Sequence, residues 1–435
     1  MGNEKQGVKG LWALTPLAVM LLVFLVGSLI AGDFYRIPIS LAFLVASVYA
    51  LFLFGKRGLE SNIESFSQGA GSSRILYMVW IFILAGAFAA SAKAMGAVDA
   101  AVALALRAVP SAYVPAGIFL ATCFISMSVG TSVGTIVALT PVVTELAARM
   151  GVDVAWMVAI VVGGAFFGDN LSFISDTTIA ATQTQGCAMK DKFRTNLRLV
   201  APAAVVSLLI YLFGGHGVAE VAEAAYTHLD AVKVLPYVLV IALALAGVNV
   251  MVVLACGIVA TGLIGVCSGS IAFFDYTASL GEGMGSMGEL IIVTMLAGGL
   301  LELVRRGGGL DALIASVTRN IKNRRGGEAA IALLTALSNV CTANNTIAIL
   351  TVGDISRDIA TKYGVPARRS ASIIDTTSCF VQGIIPYGAQ LLMASGLAEL
   401  SPVAIIPHLY YPALIGLMVA VSIIFNRERC CVTKN

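Results

Sequence analysis

Gly168-Asp169-Asn170-Leu171-Ser172-Phe173-Ile174-Ser175-Asp176-Thr177-Thr178 interrupts a chain that is apolar on both sides. The stretch holds two carboxylates, Asp169 and Asp176, and four hydroxyls, on Ser172, Ser175, Thr177 and Thr178. Inside hydrocarbon such groups are costly unless they face a cavity or one another. Ser175 and Asp176 are good N-cap types for a half-helix that starts afresh. Carboxylate and hydroxyl oxygens are hard ligands suited to a small cation. The stretch therefore predicts a discontinuous helix over 154–189 lining an ion site. A capped helix beside a membrane-surface loop is the lesser alternative, because apolar chain flanks both sides.

The rest of the chain agrees with a membrane setting. Of 435 residues 58% are hydrophobic and 12% charged, with a mean hydropathy of +0.92, far from the balance of a soluble domain. Apolar runs long enough to cross a bilayer recur at 14–30, 37–54, 75–91, 197–213 and 403–425. The first run follows Lys5 and Lys9, but it is long and lacks a small-x-small site before a soluble domain, so it reads as a helix and not as a signal. The net charge of +3 is spread among loops, which argues against nucleic acid as a partner. The eight cysteines show no metal-ligand spacing; most sit in apolar runs, and Cys430 and Cys431 lie in a tail.

An internal repeat is visible. Ala85-Gly86, Gly96 and Asp99 recur as Ala297-Gly298, Gly308 and Asp311 at an offset of 212, and Gly151-Val152 recurs as Gly364-Val365 at 213. The run at 37–55 maps onto 249–267. The predicted division is a first repeat over 1–215, a periplasmic linker over 216–234 with Glu220, Glu223 and Asp230, and a second repeat over 235–435. Spans in the first repeat fall at 14–33, 37–55, 75–92, a pair of arms at 113–150, the broken helix, and 197–214. The arms return to the side they left, whether they are full spans or a re-entrant hairpin, which leaves about five net crossings. An odd number inverts the second copy. With cytoplasmic termini, every one of the 27 Lys and Arg except Arg36, Lys93, Arg107, Arg149 and Lys233 falls inside. The expected fold is an all-α polytopic membrane protein of two inverted-topology repeats, each with a helical hairpin and a discontinuous helix.

Shifting the first break by 213 gives Val381-Gln382-Gly383-Ile384-Ile385-Pro386-Tyr387-Gly388-Ala389-Gln390. Asp169 maps onto Gln382 and Asp176 onto Ala389, so a charged cluster faces a neutral one, which fits one ion site better than two. The arms carry polar tips: Ser126, Ser128, Gly130, Thr131 and Ser132 in the first half, and Ser338, Asn339, Thr342, Asn344, Asn345 and Thr346 in the second. Packing suffices for the serines; Asn344 and Asn345 are binding candidates. Asp375-Thr376-Thr377 lies about two turns before the second break, where the acid suits a proton carrier, a sodium ligand or the partner of an arginine. Glu289, Glu302, His216, His228 and His408 have interface or helix-end readings, and Asp99 and Asp311 are expected to cap in-plane helices. No phosphate-cradling glycine loop is present, so ATP is not the expected energy source.

The Gly-Asp-x-x-Ser-x-x-Ser-Asp-Thr-Thr pattern at 168–178 resembles the signature of the NhaC-type sodium/proton antiporter family, within the ion transporter superfamily. The basic segment that follows and the Pro386-containing partner motif are similar to that family too, and the resemblance covers nearly the whole chain. It departs at Asn170, where lysine is common, and at Phe173, where proline is. The resemblance implies a secondary active sodium/proton antiporter working by alternating access, with Asp169, Ser172, Ser175, Asp176, Thr177 and Thr178 in the cation and substrate centre. The full set of expected ion or substrate residues adds Asn170, Asn344, Asn345, Asp375, Thr376, Gln382 and Gln390. Sodium is expected on Asp169 and Asp176, with protons competing and no cofactor. The alternative is sodium- or proton-coupled transport of a small organic solute, an amino acid or carboxylate, held by Asn344, Asn345, Gln382 and Gln390. A channel or membrane enzyme fits less well, since no catalytic metal set appears. Expected partners are sodium, protons, membrane lipid and, under the alternative, the organic solute; a homodimer is compatible with the pattern. The expected location is the bacterial inner (plasma) membrane with both termini cytoplasmic.

Overall fold

The computed structural model describes residues 10–31, 38–54, 58–172, 175–214, 230–319 and 321–425. The termini, most of the linker with His216, Glu220, Glu223 and His228, the tail cysteines, and Phe173 and Ile174 inside the first break lie outside the described residues. Regular structure among the described residues is helical throughout, with no strand. The first half contributes α1 (Thr15–Ala31), α2 (Ile39–Leu53), α3 (Leu59–Ala70), α4 (Ser73–Ala94), α5 (Ala97–Ala108), α6 (Val114–Val129), α7 (Ser132–Met150), α8 (Val154–Leu171), α9 (Asp176–Gln185) and α10 (Met189–Gly214). The second contributes α11 (Leu235–Leu245), α12 (Val250–Cys267), α13 (Phe273–Ser286), α14 (Gly288–Arg306), α15 (Gly309–Thr318), α16 (Arg324–Thr342), α17 (Asn345–Tyr363), α18 (Ala367–Ile384), α19 (Ala389–Leu397), α20 (Pro402–Ile405) and α21 (Tyr410–Phe425). By length and composition seven helical stretches suffice to cross a membrane, with α8–α9 and α13–α14 each taken as one stretch, or eight if one further bent pair counts as a single span. The chain is an integral membrane protein.

Local chemistry explains where the helices stop. α8 starts where Asp153 Oδ1 accepts from the Ala155 N–H at 3.0 Å and ends at Ser172, whose backbone turns extended (φ −71°, ψ 139°). α18 ends at Ile385, extended in the same way (φ −76°, ψ 126°). The residue before a proline is pushed out of the helical region, and Pro386 has no N–H to continue the ladder. Both helices restart four residues later, at Asp176 and Ala389. Asp99 and Asp311 sit in first turns and not at caps: Gly96 and Gly308, with φ of 83° and 78°, precede α5 and α15 with no side-chain cap bond. Asp99 instead pairs with Arg149.

Packing crosses between the halves in matched pairs. α4 lies on α13 and α14 on α3; α7 lies on α19 and α17 on α9. The first two crossings are glycine contacts. A Cβ on Gly86 would collide with the Gly283 carbonyl, and one on Gly69 with the Gly298 carbonyl. Helices without side chains at the crossing approach closely enough for backbone to touch backbone. The second two crossings bring each hairpin tip to the break of the other half, and that placement builds the site.

Candidate ion-binding centre

The tip of the α6–α7 hairpin and the first break are joined by Asp169. Its side chain, 2% exposed, sits in the last turn of α8. The Ser132 N–H, first residue of α7, donates to Asp169 Oδ1 at 3.1 Å. A carboxylate at a helix N-terminus meets unsatisfied N–H groups and the positive end of the dipole. The Asp169 carbonyl, freed by the break, accepts from the Thr177 and Thr178 hydroxyls at 3.2 and 3.3 Å. Gly168 makes the approach possible: a side chain there would overlap Ser126 of α6.

A hydrogen-bonded line continues into the second half. Gln390 Nε2 donates to Ser132 Oγ at 3.0 Å, and Gln382 Nε2 donates to Gln390 Oε1 at 2.9 Å and to the Ala343 carbonyl at 3.1 Å. The two breaks are thereby connected through Asp169, Ser132, Gln390 and Gln382. Several buried polar atoms around this line have no protein partner, among them Gln382 Oε1, Asn345 Nδ2, Asn339 Oδ1 and Ser338 Oγ. Unpaired polar groups away from water are costly to keep.

Beside the charged half lies a buried ion pair. Lys192 of α10 donates from Nζ to Asp375 Oδ2 at 2.8 Å, to Thr178 Oγ1 at 2.6 Å and to the Asn170 carbonyl at 3.0 Å. Three acceptors satisfy an ammonium fully. Asn196, one turn along α10, donates to the other lone pair of Asp375 Oδ2 at 2.7 Å and to the Asn170 carbonyl at 2.9 Å. Asp375 Oδ1 has no partner. Asn170 Nδ2 donates to Phe166 O at 2.8 Å and to the Tyr411 hydroxyl at 3.3 Å.

A match to the Na+/H+ antiporter family runs over residues 8–216 and 218–426. The chain belongs to the Na+/H+ antiporter family. The Na(+)/H(+) antiporter NhaC of Bacillus subtilis (strain 168) is 26% identical over 426 residues, covering 88% of this chain and 92% of that protein. The Na(+)/H(+) antiporter NhaC of Alkalihalophilus pseudofirmus is 25% identical, covering 88% of each. The arginine/ornithine antiporter ArcD of Halobacterium salinarum is 22% identical, covering 88% of this chain and 86% of that protein.

The residues singled out by the sequence occupy several distinct environments. Asp169, Asn170, Ser172, Ser175, Thr177, Thr178, Asp375, Gln382 and Gln390 are buried around the two breaks. Asp176 is a correction to the expectation of two buried carboxylates. As the first residue of α9 it is exposed; its Oδ1 accepts from Thr177 N–H at 3.0 Å and its Oδ2 from the Thr346 hydroxyl at 2.6 Å. The side chain stays wet because it projects from a helix start between the α9 and α17 N-termini and not into the packed wall. Thr376 and Asn344 are spent locally. The Thr376 hydroxyl donates to Ser372 O in its own helix at 2.7 Å, and Asn344 Oδ1 caps α17 by accepting from Ile347 N–H at 2.9 Å. Asn345 is buried, with Oδ1 accepting from Thr346 N–H at 3.0 Å.

Lys192 and Asn196, both buried, lie outside the set of site residues that the sequence points to, and the charge pattern alone groups Lys192 with the cytoplasmic residues. A signal was present. Lys192 and Asn196 head a stripe on α10 that continues through Leu199, Val200, Ala203, Ser207 and Tyr211, the buried side of that helix.

Proposed function

We propose that this family member exchanges sodium for protons across the bacterial inner membrane, by competition of the two ions for Asp169. The observation that carries the reading is a buried carboxylate at a helix break that accepts from the Ser132 N–H at the N-terminus of α7. A carboxylate held out of water accepts either a proton or a cation to neutralise it. One site that holds either ion, and opens to one side at a time, couples their movements. Sodium is the transported substrate, held by Asp169 with hydroxyl and carbonyl oxygens of the break. Asp176, at the exposed mouth between α9 and α17, draws the cation in.

The halves 1–215 and 235–435 act as inverted repeats around this centre, with the linker 216–234 periplasmic and both termini cytoplasmic. The matched element order at an offset of about 213 and the reciprocal packing of α7 on α19 and α17 on α9 support that assignment. The hairpin tips meet the breaks, which favours re-entrant hairpins over full spans for α6–α7 and α16–α17.

A second reading has its own observation. The unpartnered Asn345 Nδ2 and Gln382 Oε1 present a donor and an acceptor that a bare cation does not use together. Such a pair suits the carboxylate or amine of a small organic solute, and one relative is an arginine/ornithine antiporter.

The deciding experiment uses purified protein in proteoliposomes and records internal pH after an external sodium jump, with and without a panel of amino acids and carboxylates. Proton efflux on sodium alone is the expected outcome. A response that waits for one organic solute transfers the function to the second reading.

A further inference from the structure

At the end of the bundle where α10 and α18 begin and α21 finishes, these three helices pack together around a cavity of ≈ 410 Å³. Arg194 and Arg198 enter it from α10, and Arg368 and Arg369 from α18; the single acid on its lining is Asp191. Arg369 forms the buried floor. Its Nε and Nη2 are held by Glu328 at 3.3 and 3.2 Å, and Nη2 also donates to Ser422 Oγ at 2.8 Å. No carboxylate among the described residues pairs with Arg194, Arg198 or Arg368, and all three are exposed. The apolar part of the wall comes from Leu199, Val421 and Phe425, with Thr195 beside them. It runs on into a lipid-type surface, with Leu197, Val205 and Phe213 of α10 and Leu417 and Ile424 of α21 exposed.

A concentration of unpaired guanidinium groups directly above exposed apolar helix faces matches one ligand chemistry. We propose that this cavity binds the phosphate headgroup of an anionic phospholipid, whose acyl chains lie along α10 and α21. Guanidinium recognises phosphate with paired hydrogen bonds, and basic pockets between spanning helices hold anionic headgroups. A free anion would gain from the arginines but not from the apolar wall. α10 carries Lys192 and Asn196 on its buried side, so lipid held at its first turns braces the helix that positions the Asp375 pair.

The test incubates purified full-length protein in detergent with equal phosphatidylglycerol and phosphatidylcholine, and counts retained lipid by native mass spectrometry. Phosphatidylglycerol should be retained about tenfold over phosphatidylcholine by the native protein. Arg194→Ala/Arg198→Ala/Arg368→Ala should lose that preference with its thermal unfolding in lipid-free detergent unchanged; if the triple variant unfolds, Arg368→Ala alone should reduce it. Equal retention of both lipids, or an undiminished preference in the variants, overturns the proposal. So does inorganic phosphate that displaces the bound lipid and stabilises the protein as much as phosphatidylglycerol does, since the cavity would then be a free-anion site.

Discussion

Lys192 Nζ stands 2.8 Å from Asp375 Oδ2, with both side chains closed off from solvent although they lie 183 positions apart in sequence. A buried pair of this kind contributes little net stability over an apolar replacement, but breaking it leaves an uncompensated charge. Lys192→Met should therefore lower stability by ~3–5 kcal/mol, whereas Lys192→Met/Asp375→Leu should recover most of it. Thermal unfolding in detergent measures both. A single variant as stable as the native protein would contradict the pairing.

The two signature carboxylates should behave differently. Asp169→Asn keeps an acceptor for the Ser132 N–H but cannot exchange a proton for sodium, so sodium-driven proton flux should vanish while the protein still reaches the membrane. Asp176→Asn, at the exposed end of α9, should leave turnover measurable and raise the sodium concentration for half-maximal flux. Equal losses in both variants would remove the distinction between carrier and entry residue.

The proposed competition at Asp169 gives a definite pH sign. Protons occupy the carboxylate as pH falls, so more sodium is needed to displace them. For one proton per site, half-saturating sodium should rise by about tenfold per pH unit below the pKa of that carboxyl. Sodium titrations of flux at a series of pH values check this, and a half-saturation constant independent of pH would exclude a shared site.

The glycine crossings make a paired prediction. Gly86→Ala and Gly69→Ala each place a methyl against a carbonyl of the facing helix and should destabilise by ~1–3 kcal/mol, the usual range for overpacking. Gly117→Ala, where an added methyl meets nothing within 4 Å, should be neutral or mildly stabilising. Melting temperatures of the three variants, in one detergent, separate a steric effect from a general intolerance.

Ala343 ends α16 in the left-handed region at φ 50°, at the position matching Gly130, which has φ 75° at the end of α6. An L-residue pays roughly 1–2 kcal/mol for this conformation. Ala343→Gly should raise stability by up to ~1 kcal/mol. Because the Ala343 carbonyl accepts from Gln382, transport by this variant reports whether the strained tip is used in the cycle.

The broken helices and the polar tips were legible because each is written in nearby residues. The breaks at Ser172 and Ile385 follow from Pro386 and from the cost of polar groups in hydrocarbon, both local effects, although Ser175 makes no side-chain cap bond at the start of α9. The offset of 212 to 213 shows in the glycines and aspartates themselves. What nearby residues cannot express is which group each buried charge meets. The positive-inside rule sums charges over segments without asking which side of a helix a residue occupies, so it does not separate Lys192 from the loop cations. The pairing of Lys192 with Asp375, the exposure of Asp176, and the line from Asp169 through Ser132 and Gln390 to Gln382 all join residues from different helices. They depend on how helices far apart in sequence pack, and on desolvation that exists only once those helices have met.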